Sequence, residues 1–234
     1  MNWRELKARY PQIFDSLWHF PRRAVGGDSK FHGNFIPQLA TYLMLRYTQP
    51  DSLVWDPMAG SGTTLDVAKQ LGRRCIASDL NPIRGDIVKG DAQNFLLPDL
   101  ADLIILHPPY FDIIQFSEDD QDLSNCATLD LFLYMLERVG ENLDRGLKAK
   151  GWLALVVGDY YRDGQLVPLG YLCAEIWRIA LKNYKLKVDY IKDIQGNAQD
   201  NTTNLWCYRH NKNGTAIFKH EHIFVFRKEY DVSR

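Results

Sequence analysis

A short apolar run that ends in an acid, turns through spaced glycines and opens into a helical pattern constrains this chain more than any other feature. It reads Leu53-Val54-Trp55-Asp56-Pro57-Met58-Ala59-Gly60-Ser61-Gly62-Thr63-Thr64. The pattern predicts a strand, a tight turn and a helix N-terminus in immediate succession, a unit typical of strand–helix alternation. Gly60 and Gly62 carry no Cβ, so a bulky ligand can lie against the backbone there. Ser61, Thr63 and Thr64 are candidate caps for the helix that continues through Val67, Ala68 and Leu71. Free amides at such a helix start suit a carboxylate, a hydroxyl or a phosphate.

The alternation continues downstream. Further strands are predicted over 74–78 (closing on Asp79), 86–89 (running into Gly90-Asp91), 102–106, 152–157, 186–191 and 222–226. Helices are predicted over 2–19, from Phe35 through Leu39 and Leu43 to Tyr47 with Asn34 as N-cap, and over 129–147 and 169–184. This is the pattern of an α/β fold, a mainly parallel sheet with helices on both faces. Short loops then set Asp56, Asp79, Asp91 and His107 at the carboxyl ends of strands, where open α/β sheets bind ligands. Asp79 is placed to accept from a ribose diol or to cap the turn at Asn81-Pro82. Asp91 either accepts from an adenine amine or is a turn aspartate.

His107-Pro108-Pro109-Tyr110 is the second chemical feature. Two prolines fix φ and cannot sit inside a buried strand, so the apolar run 102–106 must stop there. The corner projects His107 and Tyr110 and leaves backbone carbonyls free to accept hydrogen bonds. It suits a planar aromatic amine, held by His107 and a carbonyl and stacked on Tyr110.

Net charge is -1 over 234 residues, so no global field draws the chain to nucleic acid or an acidic membrane. Any such contact must be local. One candidate is the basic loop 21–30, with Arg22, Arg23 and Lys30, which either reaches phosphates or is a solvated linker. The other is the polar segment 195–219, where Trp206, Tyr208, Arg209 and Lys212 interleave stacking groups with charge, as a recognition insertion or a surface loop. The acidic stretch 117–122 beside the corner is read as a flap or a partner-binding site. Four scattered cysteines (Cys75, Cys126, Cys173, Cys207) form no CxxC pair and read as buried thiols of a reducing compartment. His220 and His222 share a strand face, but with no third ligand in view no metal is expected. No apolar run approaches the ~20 residues of a membrane span, and a soluble, cytoplasmic protein is expected. Residues 1–30 read as a helical extension with a basic loop, and 31–234 as the main domain.

Asp56-Pro57-Met58-Ala59-Gly60-Ser61-Gly62-Thr63-Thr64, followed downstream by a Pro-Pro-Tyr corner, resembles the N4/N6 amino-methyltransferases of DNA. Phe31-His32-Gly33-Asn34-Phe35 is similar to that family's cofactor-side segment, and 221–228 to its closing antiparallel strand. The resemblance implies a Rossmann-like seven-stranded methyltransferase sheet, mainly parallel with an antiparallel last strand. It implies S-adenosylmethionine as cofactor, bound by His32 and Asn34, by the loop Met58, Ala59, Gly60, Ser61, Gly62 and Thr63, by Asp79 at the ribose and by Asp91 at the adenine. Asp56 would face the methionine amino group. His107, Pro108, Pro109 and Tyr110 would be catalytic, acting on an exocyclic amine of DNA, adenine N6 or cytosine N4. Two departures stand out: His107 occupies a position usually Asp, Asn or Ser, and Met58 one that is more often Phe. Similar RNA enzymes of the tRNA guanine-N2 type, a non-catalytic partner subunit and a homodimer stay open. A nicotinamide dehydrogenase fits poorly, because Gly-Ser-Gly-Thr-Thr departs from G-x-G-x-x-G. If His107 accepts a hydrogen bond as neutral imidazole, turnover should fall below about pH 6.5.

Overall fold

In the computed structural model the described residues are 2–24, 26, 33–194 and 203–230, with 203–206 described for their backbone alone. Strands β1 (Leu17–Trp18), β2 (Leu53–Asp56), β3 (Arg74–Asp79), β4 (Val88–Lys89), β5 (Ala101–Leu106), β6 (Leu147–Val157), β9 (Tyr184–Asp193) and β10 (His220–Lys228) form one sheet. Its order is β1-β9-β10-β6-β5-β2-β3-β4. Strands β4, β3, β2, β5 and β6 are mutually parallel, whereas β10 runs antiparallel to both β6 and β9. The expected mainly parallel sheet with an antiparallel last strand is therefore present. Seven strands were predicted; the eighth, β1, adds parallel to the β9 edge. A separate two-stranded hairpin, β7 (Tyr160–Arg162) with β8 (Gln165–Val167), was not foreseen.

Side-chain alternation divides the core in two. Val54, Leu103, Ile105, Ala154 and Val156 face one side, with Leu39 and Leu43 of α2 (Pro37–Tyr47) and Val67 of α3 (Thr63–Gln70). Trp55, Ile104, Leu106, Leu153 and Leu155 face the other, under α4 (Leu129–Gly146) and α5 (Leu169–Ala180). Strands buried on both faces read as continuous apolar runs, which is why 102–106 was legible. Leu6, Ile13 and Trp18 of the amino-terminal segment join the α2-side core.

Several local expectations need correction. The helix expected over 2–19 is only α1 (Trp3–Arg9), because Pro11 disfavours helical backbone at Tyr10 and the chain turns into β1. Ile36, not Asn34, occupies the α2 N-cap, with Pro37 in the first turn. None of Ser61, Thr63 or Thr64 caps α3; Gly62 does, in the left-handed region at φ 81° and with no side-chain hydrogen bond. The segment 195–219 contains a helix, α6 (Thr203–Asn213). Cys207 is exposed, unlike buried Cys126 and Cys173. Among the described residues no helix is long and apolar enough to cross a membrane.

Candidate active site

Chain order fixes where a site must be. From β2 the chain moves outward to β3 and β4, then returns to β5 on the other flank of β2. The loops after β2 and β5 therefore diverge and leave a crevice at their carboxyl ends, the usual ligand position in open α/β sheets. A cavity of about 610 Å³ fills it. Both sequence features border it: Met58, Ala59, Gly60, Ser61 and Thr63 from the turn, and His107, Pro108, Pro109 and Tyr110 from the corner. Asn34, Asp79 and Asp91 line it as well. The two features are thus neighbours in space.

The turn side is built from backbone. Gly60 sits at φ 49° and Gly62 at φ 81°. A Cβ on Gly62 would come within 2.5 Å of the Arg84 guanidinium, which donates to the Ser61 carbonyl at 2.9 Å and to Asp66 in the first turn of α3. Asp79 accepts from the Gly60 amide at 2.8 Å with one oxygen and from the Asn81 amide at 2.9 Å with the other. Asp91 accepts from the Gln93 amide and the Asn94 side chain. Each carboxylate oxygen keeps a further lone pair for a ligand. Asn34 accepts from Thr63 Oγ1 at 2.5 Å, which ties the 33–35 segment to the start of α3.

Asp56 does not line the cavity; it is 2% exposed and accepts from the Met58 amide beneath the turn. Burial pushes its carboxyl up to about 7, reinforced by the charge of Asp79 and opposed by the nearby Thr64 hydroxyl and the Met58 amide. An acid so poised favours a cationic ligand above the turn through its field rather than by contact.

The corner side is built from side chains. His107 Nε2 lies 3.0 Å from Tyr110 Oη, and Tyr110 donates to Glu221 Oε1 at 3.0 Å. Lys192, opposite Glu221 across the β9–β10 ladder, donates to Glu221 Oε2 at 2.8 Å. A hydroxyl has one proton to give, so His107 Nε2 carries the hydrogen and its Nδ1 is the free acceptor. Burial pushes the Glu221 carboxyl up, yet Lys192, His107 and the two hydrogen bonds outweigh it and hold it below the usual range. Burial pushes the His107 imidazole below its ordinary value, with Glu221 opposing and Lys192 assisting. Neutral imidazole therefore persists below pH 6.5, and the acid limb expected from sequence moves lower.

Packing holds that geometry. Phe35 meets His107 edge-on at 5.4 Å between ring centroids, and a Cβ on Gly158 would come within 2.9 Å of the Tyr110 ring. Phe111, directly after the corner, is buried at φ 55°, a strained conformation for an aromatic residue. Ile113, Ile114 and Phe116 then form an exposed apolar lip, and Phe116 reaches across to Gly33. The acidic 117–122 stretch is fastened below the lip, where Asp122 accepts from Ser117 and Ser124.

The remaining described candidates do not line the cavity. Arg23 donates to the Phe35 and Gly26 carbonyls, so it braces the 33–35 segment, while Arg22 is exposed. Tyr208, Arg209 and Lys212 are exposed on α6. The segment after α6 docks on the hairpin, where the Ala216 amide donates to Tyr161 and Phe218 stacks on its ring. Lys30, His32 and the Trp206 side chain lie outside the described residues. Sequence reasoning missed Glu221, Lys192, Arg84 and the lip. An acid beside the strand-facing histidines was the one available hint, since Glu221 must face opposite to His220 and His222.

Sheet order and switch-point cavity define the class, a Rossmann-like α/β fold of the kind that methyltransferases share. TrmN from Thermus thermophilus superposes with a TM-score of 0.52 at 18% identity, over 83% of this chain and 49% of that one. The cyclase SpnF superposes at 0.53 and 14% identity over 89% of both chains, so the fold by itself fixes no reaction. Within the class, residues 3–89 match a family model described as DNA methylase. The type II methyltransferase M.MjaII of Methanocaldococcus jannaschii is 30% identical over 108 residues, 44% of this chain and 20% of that one. Together these two matches support the DNA N4/N6 amino-methyltransferase family. The match to the family model covers the glycine turn and Asp79 and ends before the corner.

The turn fits the cofactor on the structure's own terms. Ser61 Oγ, buried on the cavity wall, has no hydrogen-bond partner among the described residues, and two acids await donors nearby. Apolar Met58, Leu80 and Ile83 supply a surface for a purine.

Proposed function

We propose that this chain transfers a methyl group from S-adenosylmethionine to an exocyclic amino group of a DNA base, adenine N6 or cytosine N4. One observation carries the reading: the glycine turn and the His107 corner wall a single cavity at the sheet's switch point. Bound there, the cofactor supplies an electrophilic sulfonium methyl. Ser61 and the Met58–Thr63 backbone would hold its methionine part, Asp79 its ribose and Asp91 its adenine.

An exocyclic amine is a poor nucleophile because its lone pair is conjugated with the ring. His107 Nδ1 and the Pro108 carbonyl would each accept one N–H and favour a pyramidal nitrogen. Tyr110 and Phe116 would hold the base ring. On direct transfer to that nitrogen, His107 or water would take up the surplus proton. Positioning and the preset acceptors supply much of the acceleration. The lip 113–116 would shield the amine from solvent, and the exposed Tyr208, Arg209 and Lys212, with Arg22, would meet the strand outside the pocket.

The test is transfer of labelled methyl from S-adenosylmethionine to duplex DNA, single-stranded DNA and tRNA in parallel. Label in DNA as N6-methyladenine or N4-methylcytosine supports the reading. Label in tRNA alone replaces it with an RNA enzyme, and label in none overturns it.

A further inference from the structure

Alternation along β10 sends Glu221 to the cavity and its neighbours His220 and His222 to the opposite face. There they meet Asp159, in the link between β6 and β7. One carboxylate oxygen and two imidazole nitrogens of these residues all lie within 4.8 Å of one another.

His222 is 3% exposed, and its Nε2 has no hydrogen-bond partner among the described residues. The facing oxygen, Asp159 Oδ2, is 3.7 Å away. That is too long for a hydrogen bond and close to the separation of about 3.3 Å that two ligands keep on one tetrahedral zinc ion. The other nitrogen, Nδ1, lies 3.0 Å from Asp189 Oδ2, the carboxylate–histidine pairing that orients metal-binding imidazoles. Asp159 Oδ1 accepts from the Gly170 amide at 2.9 Å, which fixes the carboxylate and leaves Oδ2 available.

We propose that Asp159, His220 and His222 bind a divalent zinc-type cation, with Asp189 steadying His222 from outside the coordination shell and water completing the site. Two nitrogens and one oxygen suit zinc or cobalt, whereas magnesium and calcium take all-oxygen shells. In the sequence only the two histidines were visible as a pair; folding supplies the third ligand from a distant loop. The expectation of no metal gives way to this proposal, which is independent of the methyl-transfer reading. A cation here would tie β10 to the link that begins with Gly158, the residue against which Tyr110 packs.

The experiment uses the tag-free full chain, freed of metal by a chelator and titrated with Co²⁺. One equivalent should bind with the visible absorption of a four-coordinate ion, zinc should displace it, and the thermal midpoint should rise with either metal. His220→Gln and Asp159→Asn should each weaken binding at least about tenfold, and Asp189→Asn by up to about tenfold. Circular dichroism would verify that each variant is folded, and half-buried His220 provides a test that does not disturb the buried ring. His19→Gln, at the β1 end of the sheet, should bind as wild type does. No cobalt spectrum in the wild type, or equal uptake by folded His220→Gln and Asp159→Asn, would overturn the site and leave a proton as the occupant of His222.

Discussion

The two walls of the cavity are made in different ways. On the β2–β3 side, short-range backbone geometry does the positioning: two glycines at positive φ, a helix start without a side-chain cap and an aspartate that grips the Gly60 amide. On the β5–β10 side, a chain of part-buried side chains does it, from Lys192 through Glu221 and Tyr110 to His107. The first wall is assembled by residues close in sequence. The second needs three strands in register before His107 has its tautomer. A binding wall can be carried by a local motif, whereas a reacting wall depends on the finished sheet.

That contrast can be broken, and the largest effect should come from the Lys192–Glu221 ion pair. Glu221→Gln leaves the Lys192 ammonium without its anion in a nearly dry site, at a cost of about 3–5 kcal/mol of folding stability by urea titration. Glu221→Gln with unchanged stability would mean that the side-chain wall is dispensable. His107→Ala should lower kcat about 10²–10³-fold, while calorimetry finds cofactor affinity within about twofold of wild type. Equal losses in both would erase the distinction between the walls.

The opposite result is expected from the other wall. Asp79→Ala should weaken cofactor binding about 10–100-fold by removing charge-assisted hydrogen bonds and loosening Gly60. Gly62→Ala should cost about 1–3 kcal/mol, because it is strained at φ 81° and crowds Arg84.

The smallest effect is in the pH profile. A histidine whose folded pKa lies below 6.5 binds fewer protons folded than unfolded. Stability should therefore decline as pH falls from about 6.5 to the depressed folded value and level off below it, whereas turnover should hold through pH 6.5 and fall only around the folded value. An acid limb centred above 6.5 would place the transition on another group. Asp56 acts oppositely: its carboxyl is raised to about 7, so stability should decline as pH rises from about 4 to 7. Asp56→Asn should remove that slope.

Sequence reading reached the first wall almost whole, because a strand, a glycine turn and a helix start lie in one short run. It also located the corner, since two prolines must end a buried strand. The cap of α3 escaped it because Gly62 uses backbone freedom and leaves the nearby hydroxyls uncapping. The amino-terminal helix is shorter than its aromatic pattern suggests because Pro11 disfavours helical backbone at Tyr10. Lys192 and Glu221 were invisible as a pair, for a cross-strand register between segments far apart leaves no local signature. The α6 helix was lost in a polar, asparagine-rich composition that reads equally well as loop.

A structure of the complex with S-adenosylhomocysteine tests the central claim most directly. The account predicts adenosine between Asp79 and Asp91, with the sulfur opening toward His107 and Tyr110 across the shared cavity. A ligand bound elsewhere, or seated on the turn with its sulfur facing away from the corner, would contradict it.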